Sequence, residues 1–360
     1  MTATSKLQFS YIKRTLAFRF DAGTSRGVLR TRDVFWIKAF DPQNPEIVGW
    51  GEAAPLVKLS PDDREDFEEV MGKTLDSLSK VDFELEEEAI LQKFKQLIPF
   101  ELPSIRFALE SALLDLAFGG RKRLFPNPFF DAEEEIEMNG LIWMGNREFM
   151  LQQIDQKLKE GFHCIKMKIG AIDFEQEIEL LTYIRERFSK DQIILRVDAN
   201  GAFSPEDALE KLSRLARLDI HSIEQPIRAG EWQAMKELCE LSPLAIALDE
   251  ELIGVREKAA LLDAIHPPYI ILKPTLLGGI LETKEWIRLS EERSIGWWMT
   301  SALESNIGLN VISQLASALG AKVPQGLGTG KLYHNNLDSP LEVSLGSIRY
   351  NANKEWETPA

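Results

Sequence analysis

Five charged residues, Lys168, Asp198, Glu224, Asp249 and Lys273, each follow an apolar run, at intervals of 30, 26, 25 and 24 residues. Each interval has the length of one strand, one helix and two short loops, so the period predicts parallel strands joined by helical crossovers. The strands of such a set end in one layer. Three carboxylates and two ammonium groups therefore converge at the carboxyl end of a closed or nearly closed barrel, where barrel enzymes place their chemistry.

Apolar runs put the strands near Ile136–Ile142, Cys164–Lys168, Ile193–Asp198, Ile220–Glu224, Ala245–Asp249, Tyr269–Lys273, Ile295–Thr300 and Ala321–Gln325. Eight strands suit a barrel, but about 200 residues from Asp131 to His334 are few for one, so a crossover helix is expected to be missing or stunted. The first 130 residues read differently. Leu7–Phe20 and Val34–Phe40 alternate apolar and polar residues as antiparallel strands do, around the glycine-containing stretch Asp21–Gly27. Helical spacing follows at Phe67, Val70, Leu75 and Leu78, at Leu85, Ile90, Leu91, Phe94 and Leu97, and from Ser104 to Phe118. The acidic run Glu84–Glu88 reads as a solvated helix face. Gly119-Gly120 and Pro126–Pro128 then break the pattern, and the domain boundary is placed there. The expected fold class is α/β, a modified TIM barrel of (β/α)7β type over 131–334 with an α+β capping domain over 1–130. Residues 335–360 hold too few apolar residues for another βα unit and are expected to return to the cap.

A formal net charge of −15 and a pI near 4.9 give a field that repels nucleic acid and anionic membranes, so neither is expected as a partner. An anionic substrate needs a local positive site instead. Cys164 and Cys239 read as buried thiols rather than a disulfide framework, and Met1–Thr15 has no continuous apolar stretch, which together point to the cytoplasm. Nothing in the sequence sets an oligomeric state.

Lys166 and Lys168 lie two residues apart on one strand and project to the same side, into the barrel. Burial and mutual repulsion favour their neutral amines, and a neutral lysine is a base. By the same alternation Arg196, Asp198 and Asn200 share a face. Asp198, Glu224 and Asp249 form an oxygen-only set that suits Mg²⁺ or Mn²⁺ and disfavours zinc, because no Cys or His occupies these strand ends. Lys273 faces Lys168 across the barrel mouth. His163, His221, His266 and His334 fall before or outside the strand ends and read as structural.

Lys166-x-Lys168, Asp198-x-Asn200, Glu224-x-Pro226, Asp249-Glu250 and Lys273-Pro274, in this order, resemble the enolase superfamily in its muconate-lactonizing subgroup. The likeness covers about Lys166 to Gly330, and Gly49–Pro55 resembles the capping-domain loop of the same subgroup. Thr300–Gly308 is similar to the seventh-strand motif of the o-succinylbenzoate synthases, and Gln325–Gly330 to the eighth-strand loop of one branch of them. Dipeptide epimerases of the subgroup carry an Asp-x-Asp at that eighth position, where Gln325 and Leu327 are read here. The resemblance implies metal-dependent syn dehydration of a succinyl-bearing cyclohexadiene carboxylate to an aromatic product, a step towards menaquinone. It gives Lys168 as the base, Lys166 and Lys273 as its cationic partners, Asp198, Glu224 and Asp249 as ligands of Mg²⁺, and Asn200 and Glu250 behind those ligands. Ser301, Ser305 and Asn306 are expected to meet the substrate, unless they form a helix N-cap series, and Arg26 to meet its distal carboxylate under loops 21–30 and 50–59. The nearest rival is an N-succinylamino acid racemase using both lysines as opposed bases. A reading of another class is an inert, metal-stabilised barrel that serves as a binding module.

Overall fold

In the computed structural model, which describes residues 4–24 and 27–359, the alternating segments at the start form a long antiparallel hairpin. Strand β2 (Gln8–Thr24) pairs with β3 (Gly27–Phe40), which pairs with β4 (Val48–Ala53), while short β1 (Thr4–Lys6) pairs with β5 (Asp82–Glu84). Three helices complete the cap: α1 (Phe67–Leu78), α2 (Glu87–Leu97) and α3 (Pro103–Ala117). Phe67, Met71, Leu75 and Leu78 recur at helical spacing and are buried, as are Ile90, Leu91 and Phe94. The acidic run is a helix start rather than only a solvated face. Glu86 caps α2 by accepting from the Ala89 N–H at 3.0 Å, and Glu87 and Glu88 occupy the first turn, where the helix dipole favours carboxylates. Helix α3 lies so close to β4 that a Cβ on Gly49 or Gly51 would fall on the carbonyl oxygens of Ala112 or Ala108.

After the two-residue strand β6 (Ile136–Glu137), seven parallel strands form one curled sheet: β7 (Asn139–Ile142), β8 (Cys164–Lys168), β9 (Ile194–Asp198), β10 (Ser222–Glu224), β11 (Ile246–Leu248), β12 (Tyr269–Leu272) and β13 (Gly296–Met299). They lie side by side in chain order. The crossovers are α4 (Arg147–Lys159), α5 (Phe174–Arg185), α6 (Pro205–Ala216), α7 (Trp232–Leu241), α8 (Lys258–Ile265) and the pair α9 (Pro274–Leu277) and α10 (Ile280–Glu291), and α11 (Asn306–Ala318) follows β13.

The eighth strand expected at Ala321–Gln325 does not form. Single-residue parallel bridges, Met138 to Gln325 and Thr300 to Gly326, fill its place between β7 and β13. Pro324 lacks an N–H for a ladder, and the Gln325 side chain takes over one ladder bond, its Oε1 accepting from the Met299 N–H at 2.7 Å. Only a short 3₁₀ turn, Gly328–Lys331, follows. The architecture is (β/α)7β-like, with the eighth strand reduced to these bridges and, among the described residues, the eighth helix missing.

The tail touches both parts of the molecule. Asn335 accepts from the Ala17 N–H at 2.8 Å, whereas the hairpin β14 (Leu341–Ser344) and β15 (Ser347–Tyr350) adds to β6. Phe18, Trp36, Trp50, Trp143, Leu303, Ile307 and Tyr333 form an apolar cluster at the seam between cap and barrel mouth. No helix among the described residues is long and apolar enough to cross a membrane.

Candidate active site

Register places the charged residues in one layer. Lys168 is opposite Asp198 and Asp198 opposite Glu224, while Asp249 and Lys273 stand one residue beyond β11 and β12. Lys166 Nζ lies 3.1 Å from Asp198 Oδ2 and 2.5 Å from Glu224 Oε2. Lys168 Nζ donates to Asp198 Oδ2 at 2.9 Å and to Asn200 Oδ1 at 2.6 Å. Lys273 Nζ donates to Asp249 Oδ2 and sits 3.8 Å from Glu224 Oε1. Asn200 reaches on to Glu250 at 3.1 Å. Strands β9, β10 and β11 separate β8 from β12, so Lys168 and Lys273 approach the centre from different sides.

The expectation of a neutral amine is corrected for Lys166. Burial favours the neutral form of Lys166, but Asp198, Glu224 and Asp249 together outweigh it and raise its pKa. Lys273 is raised in the same way, with burial opposed by Asp249, Glu224 and Glu250. Burial also pushes on Asp198, yet Lys166, Lys168 and Lys273 hold that carboxyl well below the usual range. Asp249 lies well above it, through burial that Lys273 opposes and Glu250 and Glu224 reinforce.

Among the described residues no three acids are drawn up to hold an ion as they stand, because ammonium groups sit between them. The donor set nevertheless fits a hard divalent cation. Its three acids are buried carboxylates on neighbouring strand ends, and Glu224 Oε1 is buried with no hydrogen-bond donor among the described residues.

A cavity of about 440 Å³ opens onto this layer. Lys166, Lys168, Asp198, Asn200 and Lys273 line its base, and Phe20, Leu56, Leu59 and Trp143 are among its apolar walls. Ser301 lines it; Ser305 and Asn306 do not. The expected substrate contacts of those two are therefore corrected. Ser305 is the N-cap of α11 and is fully enclosed, with Trp36 Nε1 donating to its Oγ at 3.1 Å and its N–H donating to Glu52 at 2.8 Å. Asn306 is committed to the tail, its Nδ2 donating to the Leu337 carbonyl at 2.6 Å. Arg26 lies outside the described residues. Arg196 lies below the mouth, stacked 4.1 Å from the Trp298 ring. At the eighth position Gly326 and Gly328, not Gln325 and Leu327, face the cavity.

Three contributors were not anticipated. Gln225, at φ +38°, is buried and accepts from the N–H groups of Asp249 and Glu251 at 3.2 Å each, fixing the turn that presents Asp249. Glu52 of β4 accepts from Ser305 and, at 3.0 Å, from the Gly308 N–H, clasping cap to barrel. Arg19 reaches the cavity because β2 shifts register between Ala17 and Ala22, and the chain there pairs instead with the tail, Arg19 N–H to Leu332 carbonyl at 2.8 Å. For Glu52 and Gln225 the available signal was their place inside motifs already singled out.

The enolase C-terminal domain-like family matches residues 150–353. An o-succinylbenzoate synthase from Desulfotalea psychrophila is 46% identical over 96% of this chain and 99% of its own length. The crystal structure of MenC from the same organism superposes with a TM-score of 0.85 at 42% identity, covering 96% of this chain and all of that one. More distantly, an N-succinylamino acid racemase from Amycolatopsis is 26% identical over 67% of this chain and 65% of its own. With the barrel, the strand-end acids and both lysines in place, the chain belongs to the enolase superfamily, within its o-succinylbenzoate synthase family.

Proposed function

We propose that this protein is a carbon–oxygen lyase that dehydrates 2-succinyl-6-hydroxy-2,4-cyclohexadiene-1-carboxylate to 2-succinylbenzoate, a step in menaquinone synthesis. One observation carries the reading: the cavity offers lysines from two sides and, at its eighth position, glycines in place of a carboxylate. A substrate ammonium finds no counter-ion there, which disfavours unprotected dipeptides. The identity to the Desulfotalea synthase supports the same choice.

Asp198, Glu224 and Asp249 would hold Mg²⁺, or Mn²⁺, with Asn200 and Glu250 orienting the set. Bound there, the ion supplies Lewis-acid charge to the substrate carboxylate, as enolase-superfamily sites do for an enediolate. Lys168 Nζ takes the ring proton beside that carboxylate, and Lys166, kept cationic by its acids, stabilises the charge that spreads onto the carboxylate oxygens. Lys168 then returns the proton to the hydroxyl on the same face as the C–O bond breaks, so one water leaves and the ring becomes aromatic. Lys273 stays cationic on the other side of the ring. Arg19, whose guanidinium has no hydrogen bond or ion pair among the described residues, takes the succinyl carboxylate in the role first assigned to Arg26. Cys164 and Cys239 are free thiols, which suits a reducing cytoplasm.

Racemisation of N-succinylamino acids is the second reading, because Lys273 also lines the cavity. The two are separated by assaying the cyclohexadiene carboxylate and an N-succinylamino acid side by side with Mg²⁺. A kcat/KM larger for dehydration supports the lyase, and the reverse order supports the racemase.

A further inference from the structure

Leu303 has a left-handed backbone, φ +69°, in the turn Ser301-Ala302-Leu303 that forms one wall of the cavity. For a residue with a branched side chain this conformation costs about 1–2 kcal/mol, so neighbouring groups must hold it. They do so from several sides. Arg32 donates to the Ala302 carbonyl, and Tyr333 Oη donates to the Leu303 carbonyl at 2.6 Å. Ser301 Oγ accepts from the Leu303 N–H at 3.2 Å, meets Thr329 Oγ1 at 2.7 Å and donates to Glu304.

Glu304 is fully enclosed and lies outside the cavity lining. Its second oxygen accepts from Thr275 Oγ1 at 2.5 Å, and Thr275 is in turn fully enclosed. Thr275 belongs to α9, the four-residue helix whose N-cap is Lys273 and whose Leu276 N–H bonds back to the Lys273 carbonyl at 2.8 Å. A single carboxylate thus ties together the segment carrying Lys273, the Ser301 turn and, through Ser301, Thr329 of the eighth-position loop. The packing around it leaves no slack, since a Cβ on Gly308 would press against the Glu304 side chain at 2.7 Å.

We infer that Glu304 is a positioning residue: through Thr275 it sets the placement of Lys273 at the substrate, and through Ser301 it fixes the adjoining wall. It touches no reacting atom. A buried carboxylate with both oxygens engaged by hydroxyl donors is costly to assemble, and what it connects here is two pieces of cavity lining from different strands. The inference rests on Lys273 taking part in the reaction, which the lyase and racemase readings share.

Because Glu304 variants disturb a buried network, the test uses Thr275. Thr275→Val keeps the shape and removes only the donor to Glu304, whereas Thr275→Ser keeps a hydroxyl. With Mg²⁺, Thr275→Val is expected to lower kcat about tenfold with KM within about twofold, and Thr275→Ser to stay near wild type. Binding of the product 2-succinylbenzoate, measured by calorimetry, needs no turnover and completes a double-mutant cycle. Thr275→Val should weaken it about fivefold in the parent and leave it unchanged in Lys273→Met. An equal effect in both backgrounds, or an unchanged kcat in Thr275→Val, overturns the positioning role. Wild-type enzyme that neither turns over the diene nor binds the product sinks the lyase reading, a failure visible before any variant is compared; the positioning role is then read on racemisation of an N-succinylamino acid, where an unchanged kcat in Thr275→Val overturns it.

Discussion

Arg19 stands in a protein of net charge −15 as a cation on the cavity with no partner of its own among the described residues, so an anionic group there gains a charge-assisted bond. Arg19→Gln is expected to raise KM for the succinyl substrate about tenfold, roughly 1.4 kcal/mol, with kcat nearly kept; steady-state kinetics checks this, and an unchanged KM assigns the tail elsewhere. Lys166, Lys168, Asp198, Glu224, Asp249 and Lys273 were readable as a set because strand alternation and strand-end spacing dictate where such side chains point. Ser305 and Asn306 were not separable from substrate contacts, since hydroxyl and amide residues before a helix serve a cap and a ligand equally well; only the contacts with Glu52, Trp36 and Leu337 decide it. Glu52, Glu304 and Gln225 escaped for a related reason. Their burial comes from elements distant in sequence, and no local pattern encodes it.

Among the elements, α3 and α10 meet through Glu110, which is fully enclosed and accepts from the Ile280 N–H at 2.5 Å. Burial pushes its carboxyl up to about 8 and that of Asp115, also on α3, up to about 7, against the ordinary carboxylate range. The native state therefore holds these protons more tightly than the unfolded chain does. Their contribution is fully present below the unfolded pKa near 4.5 for Glu110 and is lost as pH rises through 8. Thermal stability should accordingly fall from pH 6 to pH 9, and Glu110→Gln, which imitates the protonated acid, should remove about 2–3 kcal/mol of that fall. Parallel pH dependence in variant and wild type would contradict the assignment. The parallel strands were legible in sequence because they are short apolar runs at barrel spacing. The run at Ala321–Gln325 looked the same, yet Pro324 and the Gln325 side chain replace ladder bonds there, and these are decided by neighbouring β13.

For the whole molecule, the cap and barrel share one seam, clasped by Glu52 and filled by Trp36, Trp50 and Trp143, and the cavity opens beneath it. The architecture could be read from the period of the charged residues. The tail's double attachment could not, because β14 and β15 gain their third strand only from the two residues of β6. A metal held by the folded acids and not by the unfolded chain stabilises the fold by mass action. Mg²⁺ at 100 times its Kd should add about 2.7 kcal/mol to the chelator-treated protein, seen as a raised Tm, and Asp249→Asn should lose most of the gain. The most direct measurement is the growth of ultraviolet absorbance as purified enzyme with Mg²⁺ aromatises the succinyl cyclohexadiene carboxylate, with Lys168→Ala run alongside. Turnover by wild type is expected, with a loss of at least about 10²–10⁴-fold in a variant whose circular dichroism is unchanged. Lys168→Ala as fast as wild type, or no aromatisation by wild type, would contradict this expectation.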